Sequence, residues 1–284
     1  MIRQDLDKLN LPETPGVYLW RDETGKILYI GKATSLRDRV RSYVSPDVIK
    51  TRGAHIVDMV FKSHTVTYQE TMNALEALIL EANLIKKYKP YYNTKEKDDK
   101  SFNCVVITHE EFPQLFLVRQ KDIDHKEKTV HLPRSTKRVR YDATFGPYPS
   151  GSAIREALRL LRKIFPFRDI ASSKKDNTVF YRQIGLAPDT TSTEANVQYR
   201  KNISRLKLIF QGKLQSLIGV LKKEMMTAAK KEQFEVAESI KQKIFSLEHI
   251  QDVALIKRDL LHTGKTGIRI EAYDIAHLSG TQMV

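Results

Sequence analysis

The chain has 284 residues, with 48 Lys and Arg against 34 Asp and Glu, so its formal net charge is +14 at pH 7. With 41% apolar and 29% charged residues, the composition excludes a wholly disordered chain, a collagen-like chain and a disulfide scaffold. The single cysteine, Cys104, fits a reducing compartment. We find no apolar run near the roughly 20 residues of a membrane helix and no signal peptide, so we expect a cytoplasmic protein without a membrane partner. The positive charge predicts a polyanionic partner.

Residues 14–93 have the pattern of an α/β unit. Residues 16–21 and 26–30 are rich in β-branched and aromatic side chains and predict two strands. Residues 22–25 between them have the composition of a turn, and a loop of these four residues would place Tyr18 directly opposite Tyr29. The opposite face of this hairpin is the more apolar one, and it is expected to pack the core through Val17, Leu19, Leu28 and Ile30.

A helix is predicted over residues 35–44, where Ser35 and Asp38 have the spacing of a capping box. Arg39 and Tyr43 lie four residues apart, so their side chains share one face of this helix. Because the helix carries three arginines, a solvated face is an alternative interpretation of Arg39.

A strand over residues 63–69 and a helix over residues 72–89 complete the unit. Thr71 is the expected N-cap of this helix, and Pro90 ends it. The apolar stripe that is expected to face the core consists of Leu75, Leu78, Ile79, Ala82 and Ile85. Glu76 and Glu81 lie on opposite borders of the stripe, and helical geometry does not choose between them as a functional carboxylate.

The middle of the chain predicts short strands over residues 102–108 and 114–119, a charged excursion over 120–140, a rigid loop over 145–149 and a helix over 152–165. Residues 169–195 have the composition of a linker.

Two groups of cations mark this middle region. Residues 134–140, which include Arg138, contain four cations and no acid. Arg155, Arg159 and Lys163 recur every four residues, so they share one helix face opposite the apolar stripe. A phosphate-binding face and a solvated face have equal support from this pattern.

Residues 197–255 are predicted to be helical, with an αα-hairpin over residues 213–250 that begins after Gly212. Phe234 heads the second helix of the hairpin. The acids that surround it form a patch in an otherwise basic chain, namely Glu232, Glu235 and Glu238. Such a patch repels phosphate, so Phe234 is predicted to bind a protein partner. The alternative is that Phe234 closes the core of the hairpin.

The motifs and their spacing are specific. The triplet GVY at residues 16–18 is followed after ten residues by YIG at residues 29–31, then by Lys32 and Arg39, and this arrangement resembles the GIY-YIG nuclease family. The run over residues 15–44 resembles the UvrC family of the excinuclease ABC. Further segments that resemble this family, in the same order, are residues 76–93, 145–168, 230–244 and 269–282.

The resemblance implies an α/β fold that begins with a GIY-YIG nuclease domain, a small antiparallel sheet flanked by helices, over residues 1–100. A mixed, basic linking region over 101–200 and an α-helical region with a UVR-type hairpin over 201–255 are expected to follow. Residues 264–284 match the start of an RNase H-like domain. Asp274 there matches a metal-binding aspartate on a predicted strand over 268–275. No Asp or Glu follows Asp274, so we expect no 5′ incision by this chain.

The resemblance also implies a metal site. Glu81 matches the ligand of a single divalent metal, Mg²⁺ or Mn²⁺, and Asn93 belongs to the same site. Relatives commonly carry cysteines, linked to an iron–sulfur cluster, at positions matching Asp169, Ile170 and residues 185–191. This sequence has no cysteine there, and Cys104 alone cannot hold a cluster, so no iron–sulfur cluster is expected.

Tyr18 and Tyr29 match tyrosines near the reacting phosphate, and either is a candidate general base. Lys32 and Arg39 would offset the phosphate charge and lower the pKa of a tyrosine base, and Tyr43 would complete the wall of the site. Without the resemblance, tyrosines on strands would be expected only to pack.

Together these features predict an enzyme, a metal-dependent DNA endonuclease that makes the incision 3′ to a lesion in nucleotide excision repair. Its expected partners are damaged double-stranded DNA and the helicase subunit UvrB. One alternative is a DNA- and UvrB-binding adaptor whose nuclease site is idle. Another is a stand-alone GIY-YIG endonuclease, which the hairpin at residues 213–250 disfavours.

Overall fold

The structure, a computed structural model, describes residues 9–45, 53–94, 102–133, 137–170, 175–188 and 193–250. Arg134 and the predicted RNase H-like start with Asp274 lie outside these ranges. Within them, no helix combines the length and apolar character needed to cross a bilayer.

The first sheet has three antiparallel strands in the order β2-β1-β3. These strands are β1 (Gly16–Arg21), β2 (Ile27–Ala33) and β3 (Thr65–Glu70). The central strand β1 is buried on both faces, because Tyr18 and Trp20 belong to one core and Val17 and Leu19 to another.

The predicted pairing of the β1–β2 hairpin is wrong by two residues, since Tyr18 lies opposite Gly31 rather than Tyr29. The loop closes over residues 22–26, one residue more than expected. A bulge at Leu28 shifts the pairing by the second residue. A shift of two residues preserves the faces of a strand, so Tyr18 and Tyr29 still share one side of the sheet. Leu28, which was expected on the other side, packs on the side of Tyr18.

Helices cover both faces of this sheet. Helix α1 (Leu36–Arg41) begins at Ser35, whose hydroxyl accepts a hydrogen bond from the amide of Asp38, as the capping-box pattern predicted. A 3-10 turn over Ser42–Val44 continues it. Helix α2 (Ala54–Lys62) was not predicted and packs with α1 on the face of Tyr18.

Helix α3 (Ala74–Tyr88) covers the opposite face and is followed by the short helix α4 (Tyr91–Thr94). The N-cap of α3 is Asn73, not Thr71 as predicted, because Asn73 Oδ1 accepts from the amide of Glu76 at 3.0 Å. The Thr71 hydroxyl instead donates to the carbonyl of Asn73. The helix ends at Lys89, in the left-handed region with φ 45°, just before Pro90 as expected.

The second sheet has five strands in the order β5-β4-β8-β7-β6. These are β4 (Asn103–Thr108), β5 (Leu115–Arg119), β6 (Ile123–Asp124), β7 (Thr129–His131) and β8 (Arg138–Tyr148). The charged residues over 120–140 therefore contribute strands rather than a plain excursion. The predicted loop over 145–149 is also wrong, because β8 runs through Tyr148 and pairs with β4.

Helices make up most of the remaining described residues. They are α5 (Gly151–Ile164), α6 (Lys175–Gln183), α7 (Thr193–Phe210), α8 (Leu214–Lys230) and α9 (Phe234–Glu248). Helix α6 lies within the predicted linker. Helices α8 and α9 form the predicted hairpin, and Gly212 between α7 and α8 has φ 77°.

Helix α3 is shared by two cores. Ala77 and Ile85 pack under the first sheet, whereas Leu78 and Ala82 pack with the second sheet and the later helices. Both sides of α3 are therefore buried, and so is the side chain of Glu81 on the border of the stripe.

Candidate active site

Three tyrosines meet on the face of the first sheet that α1 and α2 cover. Tyr18 comes from β1, Tyr29 from β2 and Tyr43 from the 3-10 turn. The ring centroid of Tyr18 lies 6.3 Å from that of Tyr29 and 5.7 Å from that of Tyr43. The hydroxyls of Tyr18 and Tyr43 are 2.7 Å apart and share a hydrogen bond. Tyr18 and Tyr43 are buried and Tyr29 is half-buried, so Tyr29 has the most direct route to solvent.

The glycines of the two triplets make room for this cluster. A Cβ atom on Gly31 would lie 2.2 Å from the hydroxyl of Tyr18, which crosses directly over it. A Cβ atom on Gly16 would lie 2.4 Å from the carbonyl oxygen of Gln69 on β3. Both positions require glycine because of close approach by neighbouring groups.

Among the arginines of α1, Arg39 turns toward the tyrosines. Its guanidinium carbon lies 5.8 Å from the ring centroid of Tyr43. Arg37 instead donates to the carbonyl of Leu11 at 2.8 Å, and Arg41 is exposed. The solvated-face interpretation therefore fails for Arg39, which is half-buried beside the cluster.

The structure separates the two border glutamates of α3. Glu76 Oε2 accepts from the amide of Met72 at 2.8 Å and so serves the start of the helix. Glu81 is only 6% exposed, and its Oε1 accepts from the amide of Lys32 at 3.1 Å. Glu81 thus lies against β2, close to Tyr29, and Lys32 contributes its backbone to the site.

Asn93, on α4, binds the backbone of β2 through both polar atoms of its side chain. Its Oδ1 accepts from the amide of Ile30 and its Nδ2 donates to the carbonyl of Ile30, both at 2.8 Å. Because Ile30 lies between Tyr29 and Gly31, Asn93 fixes the strand that carries the motif. Asn93 is therefore a positioning residue in this structure.

Arg39 acts to lower the pKa of Tyr18, as expected of a flanking cation, but the net pKa of neither tyrosine is lowered. Burial raises the pKa of Tyr18 well above its usual value, and the neighbouring Tyr43 adds to the increase, which the charge of Arg39 only partly opposes. Burial also raises the pKa of Tyr29, with smaller contributions from the neighbouring tyrosines and from the negative charge of Glu81. Both phenols are therefore protonated at neutral pH.

The donor chemistry at Glu81 fits a divalent cation. A buried carboxylate is costly unless a positive charge compensates it. In the part of the chain that the structure describes, no three His, Cys, Asp or Glu side chains cluster as a metal site. The protein would therefore supply one carboxylate and leave the other positions to water, an arrangement that suits Mg²⁺.

The cations of α5 lie as predicted, on one exposed face. Arg155, Arg159 and Lys163 line one side of a groove of about 840 Å³. Arg159 Nε also donates to Glu156 Oε1 at 2.8 Å. Arg138 lies at the start of β8, donates to His131 Nε2 at 2.9 Å, and does not line this groove.

Arg162, between these cations in sequence, was not predicted to have a role and is buried. Its guanidinium donates to the carbonyl of Leu186 and to Asp169 Oδ2, both at 2.7 Å, and lies 4.8 Å from the ring centroid of Tyr181. It therefore ties α5 to the two segments around it. The signal in the sequence was its position four residues after Leu158, within the apolar stripe.

Phe234, at the start of α9, is 67% exposed. The interpretation that it closes the hairpin core is therefore wrong, since Ile244 and Leu247 fill that role. Glu232 and Glu235 beside it are also exposed, which leaves an aromatic ring in an acidic surface.

Comparison with known proteins finds relatives of one family. Residues 14–94 match the model of the UvrC-like GIY-YIG domain family. UvrABC system protein C from Caldanaerobacter subterraneus subsp. tengcongensis is 38% identical over 255 residues, covering 85% of this chain and 37% of that protein. The same protein from Carboxydothermus hydrogenoformans is 39% identical over 249 residues, covering 85% and 37%.

Among solved structures, the N-terminal GIY-YIG endonuclease domain of UvrC from Thermotoga maritima, bound to its catalytic cation magnesium, is 40% identical where it matches. The match covers 32% of this chain and 98% of that chain, with a TM-score of 0.29.

The fold and the family match define residues 14–94 as a GIY-YIG domain, and the predicted fold class is confirmed. This domain belongs to the UvrC-like GIY-YIG family, and 85% of the chain is similar to UvrABC system protein C. The chain spans about 37% of the length of these curated relatives.

Proposed function

We propose that this chain is a metal-dependent DNA endonuclease that makes the incision 3′ to a lesion, as a subunit of the UvrABC nucleotide excision repair system. One observation carries the proposal: Tyr18, Tyr29 and Tyr43 meet on the GIY-YIG sheet beside the buried carboxylate of Glu81. Phosphodiester hydrolysis needs a base for the attacking water and positive charge around the phosphate. This cluster offers the base, and Arg39 beside it offers charge.

Tyr29 is the base that the geometry favours. Its ring is half-buried, whereas Tyr18 and Tyr43 are buried and their hydroxyls bind each other. In the proposed reaction the phenol of Tyr29 first loses its own proton to solvent, and the resulting phenolate takes the proton of the attacking water. The Tyr18–Tyr43 pair keeps the ring of Tyr29 in place, and Arg39 clamps two oxygens of the phosphate through its planar guanidinium.

Glu81 is the proposed metal ligand. Its carboxylate chemistry supports Mg²⁺, the cation that the Thermotoga maritima domain binds, with Mn²⁺ as a substitute. When bound, such a cation supplies charge to the phosphate and stabilises the leaving oxygen. Asn93 contributes by holding β2, and Lys32 contributes its amide to Glu81 and its positive charge to the site.

Damaged double-stranded DNA and UvrB are the proposed partners, in the cytoplasm. The net charge of +14 supports a nucleic acid, and the exposed Arg155, Arg159 and Lys163, with Arg138, are the proposed contacts to its phosphates. Phe234 is the proposed contact to UvrB, since it is exposed within an acidic surface that disfavours phosphate.

The test is Glu81→Gln, assayed for nicking of a lesion-bearing duplex with UvrB and magnesium. We expect nicking to fall by at least about 100-fold, roughly 2.7 kcal/mol of barrier, with DNA affinity unchanged. Glu76→Gln is the matched control, because Gln can still accept the hydrogen bond of the Met72 amide.

Nicking by Glu81→Gln within about tenfold of the wild type, roughly 1.4 kcal/mol, would remove Glu81 as the ligand. A wild-type chain that binds DNA and UvrB but never nicks would establish the adaptor with an idle site instead.

A further inference from the structure

A second cavity lies beside the helix that carries Glu81, between the C-terminal end of α3 and the second sheet. Its volume is about 340 Å³, within the range of small-ligand sites. Its walls come from α3 at Ile85, from β4 at Cys104, from β6 at Ile123 and from β8 at Thr144 and Phe145. We refer to it as the α3–β8 pocket.

The interior of the α3–β8 pocket is apolar and aromatic, with Ile85, Phe102 and Phe145 among its walls. Gln120 and Thr144 offer hydrogen-bonding groups, as a nucleobase edge would require. The interior therefore fits a flat, largely apolar body with a polar edge.

The rim of the pocket is cationic. Lys86, Lys89 and His125 line it and are exposed, and none of its lining residues is Asp or Glu. Burial raises the pKa of the Cys104 thiol to about 11, so this wall is neutral at physiological pH. A ligand with a negative charge beside its flat body is therefore favoured over a cation.

The pocket lies within reach of a DNA strand at the active site. Ile85 is one helical turn from Glu81, and Lys89 is two turns away, roughly 12 Å along the axis. That length corresponds to about three or four nucleotides of a stacked strand at roughly 3.4 Å each. A strand whose phosphate lies at Glu81 can thus present one of its next nucleotides to the pocket.

We propose that the α3–β8 pocket holds one unpaired nucleotide of the bound DNA, its base against Phe102 and Phe145 and its phosphate at Lys86 and Lys89. Taking a base out of the stack is least costly where pairing is already disturbed, as beside a lesion. The proposal rests on the proposed function, because it requires a DNA strand at Glu81.

The test uses the full chain and two duplexes, one with a single unpaired 2-aminopurine three or four nucleotides from the incision site and one fully paired. Fluorescence of the unpaired base is expected to change on binding as it leaves the DNA stack. Gln120→Trp, at an exposed position of the mouth, and Lys86→Gln should each weaken binding of the unpaired duplex by about fivefold relative to the paired one. Lys87→Gln is the matched control, since it removes the same charge from the next residue, which does not line the pocket.

Equal losses for Lys86→Gln and Lys87→Gln, or an unchanged fluorescence response in Gln120→Trp, would overturn the proposal. A further assay measures binding of the free 2-aminopurine deoxyribonucleotide. If it binds and is blocked by Gln120→Trp while the duplex gives no response, the site belongs to a free nucleotide and the DNA assignment is wrong.

The fluorescence response should persist in Glu81→Gln, because Glu81 does not line the pocket. If the wild type gives the fluorescence response but does not nick DNA, the proposed function is contradicted and the nucleotide-binding proposal for the pocket still holds. Nicking without a response would contradict the pocket alone.

Discussion

The tyrosine cluster of the first sheet and the cation face of α5 place polar groups in opposite environments. In the cluster, the Tyr18 hydroxyl binds that of Tyr43, and Glu81 binds the backbone of β2. On α5, Arg155 and Lys163 extend into solvent. The comparison indicates that the cluster is preorganised, so small changes in shape there should have large effects. The α5 face acts through charge, so its effects should be smaller and depend on salt.

The largest effect is expected for Gly31→Ala. The new methyl group would lie 2.2 Å from the Tyr18 hydroxyl, so Tyr18 must move and lose its bond to Tyr43. We expect a loss of about 3 kcal/mol of unfolding free energy together with loss of nicking. Urea unfolding and the nicking assay measure the two effects.

Gly219→Ala, in helix α8, is the control for that change, since nothing lies within 4 Å of its Cβ position. Alanine should stabilise this helix by about 0.5–1 kcal/mol. Similar destabilisation by both substitutions would contradict the close-packing explanation of Gly31.

Next in size is Tyr29→Phe, which should lower nicking by about 100-fold if Tyr29 is the base, with little loss of stability. Tyr43→Phe should instead cost about 1 kcal/mol of stability, because it leaves the buried Tyr18 hydroxyl without that hydrogen bond. Because burial raises the pKa of Tyr29 above its usual value, the phenolate fraction and the wild-type nicking rate should rise over the whole range from neutral pH to about pH 10, without a plateau. A rate that falls over this range would exclude Tyr29 as the base.

Arg162→Met tests a buried cation of α5 against the exposed ones. Removing the guanidinium leaves Asp169 and the carbonyl of Leu186 without these bonds, so we expect a loss of about 2 kcal/mol in thermal or urea unfolding. An unchanged unfolding midpoint would show that the Arg162 contacts do not hold this region together.

A smaller effect is expected for the double variant Arg155→Gln with Lys163→Gln. If both bind phosphates, the slope of log affinity against log salt should decrease by about 1.8, with no change in stability. Lys230→Gln with Lys241→Gln, on the hairpin, is the control with the same loss of charge. Equal slopes for the two double variants would argue against a specific DNA face on α5.

The smallest effect on the fold is expected for Phe234→Ala, within about 0.5 kcal/mol because the ring is exposed. UvrB recovered in a pull-down should nevertheless decrease. Phe245→Ala, also exposed and on the same helix, should keep UvrB binding. A loss of DNA affinity without a loss of UvrB binding would contradict the assignment of Phe234.

Much of the site could be predicted from local patterns. Strand alternation gives Tyr18 and Tyr29 a common face, and helical spacing gives the cations of α5 theirs. The hairpin register could not be predicted, because it depends on the closure of the loop over 22–26 and on a bulge at Leu28. A shift of two residues leaves every side chain on the same face, so the alternating pattern is identical in the two registers.

Contacts between distant residues account for the other errors. Asn93 was expected to belong to the metal site, and its bonds to the backbone of Ile30 have no signature in the sequence. Thr71 and Asn73 are both good capping residues, and the choice depends on how the chain enters α3 from β3. The raised pKa of the tyrosines follows mainly from burial, which the spacing of charges in the sequence does not show.

The sharing of α3 between two cores has a consequence for how the protein is made. At the start of α3, the side-chain Nδ2 of Asn73 donates to the backbone carbonyl of Leu247, 174 residues later in the chain. At roughly 5–20 residues per second, a ribosome needs about 9–35 s to cover that interval. During that time β8, α5 and α7 are synthesised and can cover part of the second apolar side of α3, whereas the partner of Asn73 is still missing. The start of α3 therefore acquires its last hydrogen bond late in translation, when the last described helix docks.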